Sequence, residues 1–195
     1  MQSFWLIAAL IGTALLILLA VFYSMRLRKT SDKRAIEKII SNHCKAVEHD
    51  ATFSDGLDGY LFVDYLMLLH GKIVVMKVMT ESGYIFGSEG IDEWTCVKNN
   101  RTGKFNNPLK DTLLSVQQIR HTLKFDAVEA CVLFGSHSEF PKSMPQGVVR
   151  LADFDAELES YRGSDDADEA AQDAWEQLIV LVHGERKNLS VDLQS

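Results

Sequence analysis

Hydrophobic residues form two runs back to back near the middle of the chain, at residues 63–69 and 73–79. The connection between them, His70-Gly71-Lys72, is short and contains glycine, so the two runs are predicted to form a β-hairpin. Further apolar runs predict strands at residues 84–87, 127–134 and 148–149. The polar stretches at residues 49–56, 92–95 and 99–103 are predicted to be turns or loops.

Apolar residues spaced near 3.6 predict helices around these strands. The first helix starts at a cap on Ser31 or Asp32, and its apolar face is formed by Ile36, Ile39, Ile40, Cys44 and Val47. Asn107-Pro108 predicts the start of a second helix, because asparagine caps helices and proline fits the first turn. Its apolar stripe is formed by Leu109, Leu113, Val116, Ile119 and Leu123.

The C-terminal part of the chain becomes acidic from Asp153 onward and is predicted to contain two helices. One spans about residues 153–161, and the other ends at Gly184. The apolar face of the last helix is formed by Trp175, Leu178, Ile179 and Val182. The order of helix, three strands, helix, strand, short strand and helices indicates an α/β fold with a mixed sheet flanked by helices.

Residues 4–25 form an apolar run without a single charge. As a helix this run would span about 33 Å, which matches a hydrocarbon core of ~30 Å. A cleaved signal peptide would need a basic start, a shorter apolar core and a small-residue cleavage site, so a retained membrane anchor is the better interpretation. The cations Arg26, Arg28, Lys29, Lys33 and Arg34 follow the run, and the positive-inside rule then predicts a cytoplasmic domain after a single span of the inner membrane.

The composition of the chain limits the kinds of binding and metal sites that it is predicted to contain. The formal net charge of −7 argues against a surface coated with nucleic-acid-binding cations. The three cysteines, Cys44, Cys96 and Cys131, have no metal-like spacing and are predicted to be reduced thiols. No zinc site is predicted, because the six histidines also lack ligand spacing.

Two ionisable residues, Asp64 and Lys77, lie inside the runs predicted to form the hairpin. A charge in a protein core costs several kcal/mol unless it is paired or functional. Strand alternation allows both side chains to point to the same face of the sheet. We therefore expect Asp64 and Lys77 to form an ion pair.

The segment from Asp64 to Leu109 resembles the nuclease-related domain family, known as NERD, over roughly residues 33–160. The resemblance is carried by short motifs in a characteristic order: Val63-Asp64-Tyr65, the run from Gly71 to Met79, Gly83-Tyr84-Ile85-Phe86-Gly87, Trp94, and Phe105-Asn106-Asn107-Pro108. The resemblance implies a restriction-endonuclease-like fold. It also implies metal-dependent cleavage of nucleic acid, with Mg²⁺ held by an Asp on one strand and by Glu-x-Lys on the next.

The implied active-site pattern is incomplete in this chain. Asp64 matches the family's Asp, but Lys77 stands at the Glu position and Met79 at the Lys position. A shift of two residues would make Lys77 the catalytic lysine and leave Val75 at the carboxylate position. Glu81 is a conceivable substitute in the following turn, and Glu37 is a conceivable substitute for an acid of the upstream helix.

Replacing a carboxylate with an ammonium group puts a positive charge where the metal ion should bind. The predicted function is therefore that of a degenerate nuclease that binds nucleic acid or protein at the membrane. The catalytic candidates are Asp64 and Lys77, and Asp64 is a metal ligand only if a metal binds at all. An active Mg²⁺-dependent nuclease is the alternative, and no other cofactor is expected.

The other motif residues are predicted to be structural: Trp94 covers the core, Asn107 and Pro108 start a helix, and Gly83 and Gly87 serve backbone geometry. No catalysis is expected at Ser136-His137-Ser138-Glu139. The predicted division of the chain is an anchor at 1–25, a basic linker at 26–32, the NERD-like domain at 33–162, an acidic linker with a C-terminal helix at 163–184, and a tail at 185–195.

Overall fold

The computed structural model describes residues 16–20, 31–54, 56, 59–163 and 167–192, with the backbone alone for 185–192. The chain divides into two compact units, Met1–Lys38 and Ile39–Ser195. Residues 16–20 are helical with exposed side chains, and residues 31–43 form helix α1. Apart from residues 16–20, the predicted anchor at 4–25 lies outside the described residues.

The described part of the chain contains no helix that is long and apolar enough to cross a membrane.

Nine strands and three further helices follow α1 in the described residues. In chain order they are β1 (Ala46–Ser54), β2 (Tyr60–Leu69), β3 (Lys72–Met79), β4 (Gly83–Phe86), β5 (Glu93–Lys98), β6 (Arg101–Asn106), α2 (Pro108–Leu123), β7 (Val128–Phe134), β8 (Ser138–Glu139), β9 (Val148–Arg150), α3 (Phe154–Ser160) and α4 (Asp168–Asp192). The result is an α/β architecture with helices flanking the sheets, as predicted.

The central sheet has the order β1-β2-β3-β7-β9. The predicted hairpin is confirmed, because β2 and β3 pair antiparallel around a turn in which Gly71 has φ 77°. The pairs β3–β7 and β7–β9 are parallel. The sheet is therefore mixed, and the helix that the Asn107-Pro108 start predicted provides the crossover between β3 and β7.

Helices α2 and α4 contribute to one hydrophobic core with the central sheet. Val116 and Ile119 of α2 and Trp175 and Leu178 of α4 are all buried in it, together with Val75 of β3. Burying such a side chain stabilises the fold by about 1.5–3 kcal/mol. The predicted apolar faces of both helices are therefore the faces that form the core.

The predicted first helix is too long. Helix α1 ends at residue 43, and Val47 lies in β1, which pairs antiparallel with β2. The backbone N–H of Lys45 already donates to the carbonyl of Leu68 at 2.8 Å. The apolar residues before and after Cys44 thus belong to two different elements, which helical spacing alone did not separate.

The predicted loops at residues 92–95 and 99–103 are also wrong, because they lie largely in the hairpin β5–β6 of a second sheet. This sheet has the order β6-β5-β4-β8. Asn99 and Asn100 form the turn of the hairpin with φ values of 51° and 57°. Asparagine tolerates this left-handed conformation, which two-residue hairpin turns of the primed type require.

The last helix continues through Gly184 to Asp192, so the predicted stop at Gly184 is wrong. The carboxylate of Asp168, at the start of α4, accepts hydrogen bonds from the Lys45 ammonium and from the backbone N–H of Gly71. The bond from Lys45 is the main reason why the pKa of Asp168 is lowered. These bonds tie the start of α4 to the β2–β3 turn.

Candidate functional site

Asp64 lies at the point where β2 and β3 separate. Tyr65 opposite Met76 is the last pair of their ladder, and the next pair in that register would be Asp64 and Lys77. Instead, Oδ2 of Asp64 accepts a hydrogen bond from the backbone N–H of Val78 at 2.6 Å. A side-chain carboxylate thus replaces a backbone carbonyl at the end of the ladder, and such charge-assisted bonds are stronger than neutral ones.

Beside Asp64, the side chains of β1 and β2 change the face of the sheet on which they lie. Ala46 packs against the core cluster, and Ala51 and Phe53 belong to it. Along a regular strand Ala46 would lie on the opposite face from Ala51 and Phe53, because the face alternates with every residue. Asp50 lies between them with φ 49°. The pairs His49–Tyr65 and Ala51–Val63 place Asp50 opposite Asp64 in the register, so a second carboxylate occupies the strand next to Asp64.

Lys77 points toward α2. Its Nζ lies 3.2 Å from Oδ2 of Asp111, a residue of the first helical turn. The two side chains are 34% and 53% exposed. The pair therefore lies partly in solvent, where such ion pairs contribute about 0–1 kcal/mol to stability.

The predicted ion pair between Asp64 and Lys77 is wrong. Among the described residues, Lys77 pairs with Asp111, and Asp64 is satisfied by Val78. The prediction assumed strict alternation on both strands and ignored the helix. The backbone N–H released at the end of the ladder is a closer donor to Asp64 than the neighbouring ammonium group.

Three further candidates lie in different environments. Met79 packs partly buried against the core. Glu81 follows the end of β3, and its Oε2 is buried without a hydrogen-bond partner among the described residues. Glu37 belongs to the helical residues of the N-terminal unit.

The residues at the separation of β2 and β3 do not fit a Mg²⁺ ion. Magnesium prefers carboxylates and waters in an octahedral arrangement. Here one oxygen of Asp64 accepts a hydrogen bond from the backbone N–H of Val78, and the residue opposite Asp64 in the β2–β3 register is Lys77, a cation that pairs with Asp111. Across the described residues, no three His, Cys, Asp or Glu side chains are grouped so that they could hold a metal ion.

The residues predicted to be structural are structural. Trp94 is fully buried, and its Nε1–H donates to the carbonyl of Ser88 at 3.0 Å. A Cβ on Gly87 would lie 2.1 Å from the Trp94 ring, so glycine is required there. Gly83 has φ 112°, a conformation that favours glycine.

Asn107 is the buried junction between α2 and the preceding loop. Its Oδ1 accepts from the backbone N–H of Leu109 at 3.0 Å, which caps the helix as predicted. Its Nδ2 donates to three carbonyl oxygens, those of Ser88, Glu89 and Ile91. The start of the helix that carries Asp111 is therefore fixed by one side chain.

Two of the three cysteines, Cys44 and Cys131, are not activated nucleophiles. All three are free, as predicted. Burial raises the pKa of Cys44 to about 12, and it also raises the pKa of the fully buried Cys131. Both thiols are therefore protonated at neutral pH and poorly reactive.

Sequence reasoning missed Asp50 and Asp111. Asp50 was placed in a turn, and its tolerance of left-handed backbone was the only local signal that it interrupts a strand. Asp111 gave no signal of its own, because acidic residues are common in the first turn of a helix. Its contact with Lys77 depends on how α2 crosses the sheet.

The fold and the site together define an α/β protein in which a carboxylate and a lysine lie where two strands of a mixed sheet separate. A family model described as nuclease-related domain, NERD, matches residues 28–135, more than half of the chain. The chain therefore belongs to the NERD family, which confirms the resemblance. No curated protein and no solved structure matches it.

Proposed function

We propose that this NERD-family protein is a degenerate nuclease, which binds nucleic acid or protein at the inner membrane without cleaving a phosphodiester bond. The observation that carries the proposal is the ion pair between Lys77 and Asp111. In the alignment without gaps, which the proposal adopts, the ammonium group of Lys77 stands at the position of the second metal-binding carboxylate. A restriction-endonuclease-like fold is part of the proposal. It is supported by the order of the elements of the central sheet, in which β1, β2 and β3 are followed by α2 and β7, while β4, β5 and β6 belong to the second sheet.

Electrostatics supports the absence of cleavage. Two unit charges 4 Å apart interact by roughly 4 kcal/mol near a protein surface, and Mg²⁺ carries two charges. An ion next to Asp64 would meet the repulsion of Lys77 and would compete with the hydrogen bond from Val78. Asp64 and Lys77 therefore favour the observed hydrogen bond and ion pair over the binding of a metal ion.

An active metal-dependent nuclease is the second candidate, and Asp50 is the observation that favours it. The pairs on either side place Asp50 opposite Asp64 in the register of β1 and β2. Mg²⁺ is commonly held by one or two carboxylates together with waters, so a second carboxylate in this region favours metal binding. Lys77 would then act in the attack of water instead of excluding the ion.

A cleavage assay separates the two candidates. The purified full-length protein is incubated with labelled DNA and RNA in Mg²⁺ or Mn²⁺, and product length is measured over hours. We expect no metal-dependent products above background. The variants Asp64→Ala and Asp50→Asn serve as matched controls for contaminating nucleases.

Activity in the unaltered protein that disappears with Asp64→Ala would overturn the degenerate-nuclease proposal. Activity that persists in Asp64→Ala comes from a contaminant. Loss of activity in Asp50→Asn as well would identify Asp50 as the second carboxylate.

Attachment to the membrane is the remaining part of the proposal. It is supported by the uncharged run at residues 4–25 and by the five cations that follow between Arg26 and Arg34. The direction of this charge asymmetry favours a cytoplasmic location for the NERD domain.

A further inference from the structure

An open groove with a largely apolar lining lies between α2 and α4. Its volume is about 510 Å³, and it is lined by Thr122, Leu123, Glu176, Gln177, Val180 and Leu181. A smaller groove of about 160 Å³ adjoins it and shares Thr122, Leu123 and Leu181. Val180 is 72% exposed and Leu181 is 41% exposed. We call the larger feature the α2–α4 groove.

The core does not use the apolar side chains at the edge of the α2–α4 groove. The buried face of α4 is formed by Trp175, Leu178 and Val182. Val180 lies on the opposite side of the helix from Leu178 and Val182, because two residues correspond to about 200° of rotation. Apolar side chains that are exposed next to a groove indicate an interaction surface.

Charges of opposite sign border the α2–α4 groove. Glu169, Asp173 and Glu176 are exposed and occupy the same side of α4 as Val180, because their spacing follows successive helical turns. The end of α2 is basic, since exposed Lys124 caps the helix directly after Leu123. Among the residues that the structure describes, neither Glu176 nor Lys124 has an ion-pair partner.

We infer that the α2–α4 groove is the surface through which two copies of this chain associate about a twofold axis. Such an interface uses the same patch on both copies, so the patch must complement itself in shape and in charge. The exposed Val180 beside the groove meets the first requirement, because each copy can insert this side chain into the groove of the other. The acidic side of α4 and the basic end of α2 meet the second. The inference is independent of the proposed function.

Other occupants fit this surface less well. The three acidic residues of α4 would repel the phosphates of nucleic acid and the anionic head groups of a bilayer. A small-molecule site encloses most of its ligand, whereas the α2–α4 groove is open at Val180. A second copy is favoured over an unrelated protein, because this face already carries both halves of a complementary pair.

Sedimentation velocity of the full-length protein in mild detergent tests the inference over a series of protein concentrations. We expect a dimer that dissociates on dilution. Val180→Ser should raise the dissociation constant about 100-fold, because a twofold interface loses two buried valine side chains. Ile91→Ser is the matched control, since Ile91 is 44% exposed outside the groove, and it should leave the dissociation constant unchanged.

Two charge reversals test the symmetry of the interface. Glu176→Lys and Lys124→Glu each place like charges opposite one another twice, so each variant alone should dissociate about tenfold more readily or worse. An equimolar mixture of the two variants should form dimers again, because both contacts then join opposite charges. A merely structural role of either residue would not give this recovery. Glu89→Lys and Lys142→Glu, two exposed residues elsewhere, are the matched controls and should associate normally both alone and mixed.

The remaining outcomes overturn the inference. A monomer at every concentration up to about 1 mM does so, and so does a dimer that Val180→Ser leaves unchanged, because its contact then lies elsewhere in the chain. Failure of the mixed variants to recover excludes the twofold pairing of Glu176 with Lys124. A lower thermal midpoint of Val180→Ser under dilute, monomeric conditions would assign Val180 to folding. Binding of a labelled oligonucleotide that Val180→Ser abolishes would assign the groove to nucleic acid instead.

Discussion

Asp64 and Lys77 each interact with a group near the end of a strand or helix. Asp64 accepts the backbone N–H of Val78 where the β2–β3 ladder stops, and Lys77 pairs with Asp111 in the first turn of α2. The first interaction terminates a strand pair. The second connects the sheet to the helix through two partly exposed side chains, so the two residues contribute differently to stability.

Substitutions at these two positions should separate those contributions. Asp64→Ala leaves the Val78 N–H without its acceptor and should lower the free energy of unfolding by about 1–3 kcal/mol. Asp64→Asn retains an acceptor oxygen and should cost less. Lys77→Met removes a partly exposed ion pair and should cost about 1 kcal/mol or less. Urea denaturation of the purified variants measures all three values.

A loss of 3 kcal/mol or more in Lys77→Met would contradict this account, because it would indicate a buried ion pair. Equal losses in Asp64→Asn and Asp64→Ala would show that the charge, rather than the acceptor, is what Val78 requires. Lys104→Met is a matched control, since Lys104 forms a more exposed pair with Glu93.

Local signals at single residues predicted part of this site. The charges of Asp64 and Lys77 within apolar runs marked both residues from the sequence alone. The contact partners of Asp64 and Lys77 depend on two other features. One is the distance at which α2 crosses the sheet, and the other is the left-handed backbone of Asp50, which changes the alternation of side chains along β1. Neither property is encoded in residues near Asp64, so the pairing could not be predicted.

At the scale of elements, the start of α2 is the most strongly determined junction. Asn107 caps the helix and ties it to three carbonyls of the 88–91 loop, while only 1% of the residue is exposed. The position of Asp111 relative to Lys77 follows from this junction. A local motif, Asn-Pro, thus determines where a helix meets the sheet.

Asn107→Ala should therefore be costly. It removes a helix cap, worth about 1 kcal/mol, and leaves buried carbonyls without a donor, at about 1–3 kcal/mol more. We expect the free energy of unfolding to fall by about 2–4 kcal/mol in urea denaturation. Asn106→Ala, at an exposed neighbouring position, should change little.

Asn107→Asp separates the two roles, because aspartate caps a helix equally well but donates no hydrogen bond to the loop. Full stability in this variant would show that the cap alone matters. A loss close to that of Asn107→Ala would assign most of the effect to the three carbonyls.

Two of the strands that sequence reasoning missed, β1 and β6, share one property. β1 is an edge strand that carries Glu48, His49 and Asp50, and β6 is an edge strand with exposed Arg101 and Lys104. Edge strands lack the continuous apolar runs that marked β2, β3 and β7, since only part of each edge strand is buried. Asn99-Asn100 was the local hairpin signal, and it was interpreted as a loop because its flanking strands are polar.

At the scale of the whole molecule, charge is unevenly distributed. The chain carries a net charge of −7, yet the β5–β6 hairpin has Lys98, Arg101 and Lys104 against the single acid Glu93. Acidic residues dominate from Asp153 onward. The β5–β6 hairpin is therefore locally cationic in a protein of negative net charge.

The proposed membrane attachment rests on the N-terminal run at residues 4–25. A transmembrane helix satisfies its backbone polar groups internally, so an uncharged run of this length is the part of the chain at which the proposal can be tested. Deletion of residues 1–25 should therefore move the protein from the membrane pellet to the soluble fraction after ultracentrifugation. The full-length protein, expressed to the same level, is the control and should require detergent for extraction.

Circular dichroism of the truncated protein checks that it remains folded, because aggregated protein also sediments. A folded truncated protein that stays entirely in the pellet would contradict a single anchor and would point to membrane contacts within the NERD domain itself. In that case Arg101→Glu in the truncated chain shows whether the hairpin tip provides those contacts, since release into the soluble fraction requires that its cations bind lipid.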